Sequence, residues 1–332
     1  MSNMREDDVS NSGWHTAFAP ATVANVGPGF DVLGLALAES VGLGDRCSVR
    51  LSSGTGTDLV IENDGGKLPT EPSENVATVA ARYLLDAAGW TGRLEVRLSK
   101  GLPLGSGLGS SAASAASCLR AVIKAYQVDT HASRSPLLSE WIVAAGREGE
   151  RLAAGSPHPD NVVPALQGGF RLMFDTESGL VNESLPVPDW LRVVVAIPDL
   201  QVQTADARAA MPDVVPMADA VSNMARVGLM VSALYRSDPI ALSLAVKDRL
   251  HQPYREPLIR GYPYARELAL KHNAIAVGIS GSGPAVFAFA TEQAASIVGD
   301  AMVRGFARAG VSARFKCGAI QPARQTFLGT SS

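Results

Sequence analysis

The chain has 332 residues, room for two modest domains, with 46% hydrophobic and 18% charged residues and a formal net charge of −3. That balance, with no basic stripe interleaved with aromatics, excludes a nucleic-acid binder, and no apolar run reaches the roughly 18 residues of a membrane span. Cys47, Cys118 and Cys317 lie far apart without a C-x-x-C pair, which excludes a disulfide framework and a zinc site and fits a reducing cytosol.

Residues 1–14 open polar and acidic, so a disordered tail is expected there, with no apolar core for a signal peptide. From Trp14 to Leu37, WHTAFAPATVANVGPGFDVLGLAL, a strand runs into a tight turn at Gly27, Pro28 and Gly29, then into a second strand or short helix. Asn25 and Asp31 flank that turn, where they either hold its backbone or face a site. Cys47 to Leu51 and Leu59 to Glu62 read as short strands, and Asn75 to Ala88 as an amphipathic helix introduced by Pro72, Ser73 and Glu74.

Leu94, Val96 and Leu98 then alternate with Glu95 and Arg97, the period of a half-buried strand. Next comes GLPLGSGLGSSAASAASCLRAVIKAY, Gly101 to Tyr126, a glycine loop feeding an alanine-rich helix. Gly105, Gly107 and Gly109 allow backbone to approach a ligand closely, and Ser110 or Ser111 can cap the helix, so free N–H groups converge on an anion. This is no Walker A loop, because no Lys-Ser or Lys-Thr follows the glycines.

Leu137 to Ala154 is helical in pattern and carries Glu148 and Glu150 near its end. In the following GSPHPDNVVPALQGGF, prolines restrict their neighbours, so His158, Asp160 and Asn161 are expected on a rigid turn rather than inside a helix. The pattern changes near Pro186 to Pro188, which sets expected domains at residues 15–185 and 186–330. Leu191 to Ile197 reads as a buried strand, Thr204 to Pro212 as a loop or helix start bearing Arg208, and Met217 to Tyr235 and Pro239 to Leu250 as helices. Arg255 follows between prolines. Ala274 to Phe289 reads as two apolar strands around a turn of Gly281, Ser282, Gly283 and Pro284, followed by a helix from Gln293 to Gly310 and a strand from Ser312 to Ile320.

Pro103 followed by G-S-G-L-G-S-S-A-A-S resembles the second motif of the GHMP kinases, named for galactose, homoserine, mevalonate and phosphomevalonate. The Gly281–Pro284 turn resembles their third motif. The opening P-A-T-x-A-N-x-G-x-G-F-D, and H-P-D-N followed by G-G-F, resemble the homoserine kinases in particular. The resemblance implies an α+β, two-domain GHMP kinase fold, its N-terminal domain ribosomal-protein-S5-domain-2-like and its C-terminal domain ferredoxin-like. It implies a cytoplasmic homodimer with ATP and Mg²⁺ as cofactors, phosphorylating the L-homoserine hydroxyl on the way to threonine.

By the same resemblance Asn75 lies near the adenine and ribose. Pro103, Gly105, Ser106, Gly107, Leu108, Gly109, Ser110, Ser111 and Ala112 hold the phosphates, with Gly281, Ser282 and Gly283 laid against them. Ser111 and Glu150 bind the metal, with Ser110 and Glu148 as near-register rivals. Arg208 and Arg255 answer the substrate carboxylate, Asp31 with Asn25 the ammonium, and His158 with Asp160 the hydroxyl end. Asn161 stands where mevalonate-type relatives carry an aspartate, and no lysine lies between Trp14 and Asp45. Asn161, Asp160 and Arg208 are therefore expected to act without a dedicated general base. The alternatives are a GHMP kinase for another small alcohol such as L-threonine, a non-catalytic sensor of the same fold, or a decarboxylating relative.

Overall fold

The computed structural model describes residues 13–129, 137–155 and 158–324. The expected tail therefore falls, up to residue 12, outside the described residues. The N-terminal half runs β1 (His15–Pro20), β2 (Thr22–Ala24), β3 (Leu33–Ala36), β4 (Gly44–Ser52), β5 (Thr57–Glu62), α1 (Val76–Ala87) and β6 (Arg93–Ser99). It continues through α2 (Ser110–Asp129), α3 (Ser139–Ala154), α4 (Pro159–Gln167), β7 (Phe170–Thr176) and β8 (Gly179–Leu185). The C-terminal half begins with β9 (Leu191–Pro198), α5 (Thr204–Ala209), α6 (Met217–Arg236), α7 (Pro239–Ala245) and α8 (Gln252–Arg255). It ends with α9 (Tyr262–Lys271), β10 (Ala276–Ile279), β11 (Val286–Thr291), α10 (Glu292–Arg308) and β12 (Ala313–Gly318).

Among the described residues these strands form three four-stranded sheets. The first, in the order β1-β4-β6-β5, turns Val49, Leu94, Val96 and Leu98 inward against α1, α2 and α3, as the alternation in β6 predicts. Ala112, Ala115 and Ala116 have short side chains, so α2 seats closely in this core. The second sheet, β2-β3-β7-β8, is antiparallel throughout. The third, β10-β11-β9-β12, is antiparallel and has the strand–helix–strand–strand–helix–strand order of a ferredoxin-like domain.

The apolar runs of β9 and β11 are explained by burial of both faces. Val193, Val195, Phe287 and Phe289 pack against Val23, Leu33, Leu35 and Phe170 of the second sheet. Val194, Ala196, Val286 and Ala288 pack on the other side with Ala265 of α9 and Phe306 of α10. One continuous core thus joins the two halves, and the rings of Phe170 and Phe289 stand 6.4 Å apart across it.

Two expectations are corrected. Pro159 opens α4 instead of breaking it, because the first helical position needs no N–H partner, so Asp160 and Asn161 sit in the first helical turn. The helix expected over Pro239 to Leu250 ends at Ala245. Asp248 there turns back to accept from the backbone N–H groups of Leu250, His251 and Gln252, at 3.1, 2.8 and 2.6 Å, and so starts α8.

Candidate active site

A cavity of about 490 Å³ opens where both halves meet, and its wall includes the glycine loop, the first turns of α2 and α4, the end of α3, and Arg208 and Arg255 from the C-terminal half. The loop is built for close approach. Gly107 (φ 76°) and Gly109 (φ 67°) occupy the left-handed region. A Cβ on Gly107 would lie 2.6 Å from the carbonyl oxygens of Ser280 and Gly283, so no other residue fits where the second and third motifs touch. That contact is pinned by Ser280 Oγ donating to Gly107 O at 2.6 Å and by Ala285 N donating to Ser106 O at 3.0 Å. Ser106 Oγ is buried at the cavity wall without a protein partner, and the N-terminus of α2 faces the same space, as an anion site requires.

Beneath the loop lies a buried ion pair. The Lys100 ammonium donates to Asp45 Oδ2, to Ser110 O at 3.0 Å, to Ser110 Oγ at 2.9 Å and to Ser114 Oγ at 2.8 Å. Asp45 Oδ1 in turn accepts from Gly101 N at 2.9 Å and Leu102 N at 3.1 Å. Burial pushes the Lys100 ammonium below its ordinary value while Asp45 pulls it back up.

This network sets the two serines at the start of α2 apart. The Ser110 hydroxyl is committed to Lys100, whereas Ser111 is the hydrogen-bonding neighbour of Glu150. The Glu150 carboxyl is raised by burial, and its Oε1 is buried with no partner. Glu148 instead pairs with Arg151 at 3.0 Å on the surface. One unpartnered carboxyl oxygen and one hydroxyl beside the glycine loop form an oxygen donor set that suits a hard divalent cation.

On the opposite wall Asn25 and Asp31 both adopt left-handed backbone, and Asn25 Oδ1 accepts from Asp31 N at 2.8 Å. Asp31 Oδ2 lies 3.4 Å from His158 Nδ1 and 3.7 Å from Arg208 Nη2. Arg208 Nη2 also meets His158 Nε2 at 2.9 Å. A guanidinium can only donate, so Nε2 accepts and the ring proton sits on Nδ1, facing Asp31. Burial lowers the His158 pKa, with Asp31 raising it and Arg208 lowering it again, which favours this neutral ring.

Arg255 is buried over the Phe30 ring at 5.2 Å, held by Gly281 O at 2.8 Å and Ala207 O at 3.3 Å. Asp160 is pushed up to about 7, first by burial and then by the carboxylates of Asp31 and Glu150. Beside it Asn161 Oδ1 accepts from Thr22 Oγ1 at 2.6 Å, which turns the amide Nδ2 away from Thr22. A Cβ on Gly109 would come within 2.0 Å of Thr22 Oγ1 and 2.7 Å of Asn161 Oδ1, so this glycine admits the hydrogen bond.

Comparison with known proteins matches the GHMP kinase N-terminal domain to residues 75–169 and the GHMP kinase C-terminal domain to residues 230–308. The homoserine kinase of Pyrococcus abyssi is 37% identical over 298 residues, covering 90% of this chain and 94% of its own. That of Chlorobium phaeobacteroides is 35% identical over 303 residues, covering 88% and 91%. The crystal structure of homoserine kinase from Cytophaga hutchinsonii superposes with a TM-score of 0.87 at 34% identity, covering 96% of this chain and 98% of that one. The chain belongs to the homoserine kinase family of GHMP kinases. Mevalonate kinase of L. major in complex with R-mevalonate, 17% identical with a TM-score of 0.67, shares the fold alone.

Most residues expected from the homoserine kinase resemblance stand around one cavity. Asn25, Asp31, Asn75, Gly105, Ser106, Gly107, Gly109, Ser110 and Ser111 line it, as do Glu150, His158, Asp160, Asn161, Arg208, Arg255, Gly281 and Ser282. Pro103, Leu108, Ala112 and Gly283 do not. Leu108 and Ala112 point into the core and shape the loop from behind, and Gly283 backs Gly107. Asn75 lines the cavity while its side chain caps α1, accepting from Ala77 N at 3.0 Å. Lys100, Asp45 and Thr22 escaped the sequence reading, although a lysine one residue before a glycine loop was the available signal for the first.

Proposed function

We propose that the chain transfers the γ-phosphoryl group of ATP to the hydroxyl of L-homoserine, giving O-phospho-L-homoserine and ADP on the way to threonine. The observation that carries this reading is the gathering of Asp31, His158, Asp160, Arg208 and Arg255 around one cavity opposite the glycine loop. A small substrate bearing an ammonium, a carboxylate and a hydroxyl finds an answer to each.

Asp31, held by Asn25, takes the ammonium, and Arg208 with the remaining face of Arg255 takes the carboxylate in a planar fork. His158 and Asp160 orient the hydroxyl end, and the Asn161 amide, fixed by Thr22, donates toward the transferring group. Backbone N–H groups of the loop and the N-terminus of α2 bind the triphosphate. For Mg²⁺ the fitting donors are Glu150 Oε1 and the Ser111 hydroxyl, a ligand pair that leaves room for waters and phosphate oxygens. When bound, the ion supplies charge neutralisation on the β and γ phosphates.

Asn161 cannot accept a proton, so positioning and charge neutralisation carry the reaction and the hydroxyl loses its proton late. As in its family, the working form is read as a cytoplasmic homodimer. No helix among the described residues is long and apolar enough to cross a membrane.

The test is ADP release by the purified protein with Mg-ATP and, separately, L-homoserine, L-threonine, mevalonate, shikimate and galactose. Turnover with L-homoserine far above the rest is expected. Preference for L-threonine would overturn the substrate assignment while keeping the nucleotide site. Silence with every alcohol would favour a ligand sensor.

A further inference from the structure

α6 is 20 residues long and buries Asn223, Met230, Ala233 and Leu234 against the protein. Its outward side reads Met217, Val221, Met224, Gly228, Val231 and Tyr235, at intervals of four, three, four, three and four residues, with Val231 at the edge and partly packed against the chain's own core. Met217 is 76% exposed, Val221 50%, Met224 66% and Tyr235 68%, and open space surrounds Gly228. No charged residue interrupts this stripe. Val214 before the helix and Ile240 and Leu244 after it are exposed as well. Scattered apolar residues on a surface are ordinary, but an unbroken stripe at 3.5-residue spacing is the seam of a helix pair.

We propose that this face of α6 is where two copies of the chain meet, the two α6 helices crossing antiparallel about a two-fold axis near residue 226. The proposal rests on the homodimer reading given above. Self-complementarity selects a second copy as the occupant. The spacing reads the same from either end, so an antiparallel pair sets Met217 opposite Tyr235 of the second copy and Val221 opposite its Val231. Met224 falls opposite the second copy's Gly228, an unbranched side chain over a position that has none.

Charge agrees with this direction. Antiparallel packing opposes the two helix dipoles, and Asp219, four residues before the buried Asn223, stays on the inner side of α6 and off the seam. Asp219 is paired within the chain with Arg249 at 2.9 Å and Arg236 with Asp238 at 3.4 Å, so no charge of α6 is left unpaired at the ends of the stripe. A helix of 20 residues is about 30 Å long and about 10 Å wide, and its face covers on the order of 300–600 Å². A standard interface needs about 800 Å² per partner, so the contact extends over Val214, Ile240 and Leu244.

The experiment is light scattering coupled to gel filtration of the full chain, with sedimentation equilibrium for the dissociation constant. The variants are Met224→Glu, Gly228→Gln and, on the distant α10 surface, Ile297→Glu. Gly228→Gln adds bulk in open space and favours the isolated helix, so its loss of dimer cannot be blamed on misfolding. We expect a wild-type dimer, with the dissociation constant raised roughly 30-fold or more by each α6 variant and left unchanged by Ile297→Glu. A dimer that survives both α6 changes overturns the interface and leaves the homodimer reading standing. A wild-type monomer up to about 100 μM, well above an ordinary dimer's dissociation constant, overturns both.

Discussion

Asp160 and Asn161 are adjacent in α4 and are tuned by different means. Asp160 is an acid whose burial and carboxylate neighbours push it up to about 7, so its charge changes across neutral pH. In the role proposed for it, the ionised form accepts a hydrogen bond from the substrate hydroxyl about twice as strongly as the neutral acid would. The kcat/KM for L-homoserine at saturating Mg-ATP should therefore rise as pH increases through about 7, and Asp160→Asn should flatten that rise. A wild-type profile already level at pH 6 would assign Asp160 no such part. Asn161 owes its orientation to Thr22 instead. Losing one buried hydrogen bond of about 1–1.5 kcal/mol, Thr22→Val should lower kcat about 10-fold with KM for L-homoserine nearly unchanged, and Thr22→Ser should restore it. Equal losses in the valine and serine variants would point to packing of the methyl group instead.

The start of α2 depends on a charge pair that serves structure as well as chemistry. Lys100 and Asp45 are almost wholly enclosed, with side chains 2% and 0% exposed. Removing one partner strands the other, so Lys100→Met should cost about 3–5 kcal/mol in urea unfolding, and adding Asp45→Asn should recover part of it. Additive losses in the double variant would mean that the pair is not coupled. The strand, the glycine loop and the helix were legible in the sequence because alternation and glycine are local signals. The pair was not, since Asp45 stands 55 residues away in the chain and a lysine carries no local mark of burial. The hairpin β7–β8 was missed for a related reason. Arg171 interrupts the apolar run yet lies buried, donating from Nε to Gly168 O at 2.9 Å, so its polarity misreports its position. At α4 a proline at the first helical position is tolerated, so Asp160 and Asn161 stand together as their spacing implies but on helical backbone that the prolines hide.

At the scale of the whole molecule, the cavity exists because two sheets are pressed together behind it. Asp31, His158, Asp160 and Asn161 come from the N-terminal half and Arg208 and Arg255 from the C-terminal half, so the pocket's complementarity depends on how the halves seat. Their contact is almost entirely apolar, and Phe289 is fully buried within it between Phe170 and Phe287. Phe289→Ala removes a ring from a closed core and should cost about 3–5 kcal/mol in chemical unfolding. Part of that loss relaxes the seating of one sheet on the other, and the substrate groups feel it differently. The glycine loop and Glu150 are positioned mainly by the N-terminal half, with Gly107 pinned across to Ser280, whereas Arg208 and Arg255, the groups proposed for the substrate carboxylate, come from the C-terminal half. KM for L-homoserine should accordingly rise more than KM for ATP in folded Phe289→Ala, measured below its melting temperature. Equal rises would show the two halves moving as one rigid unit, with the core setting stability but not the fit of the substrate.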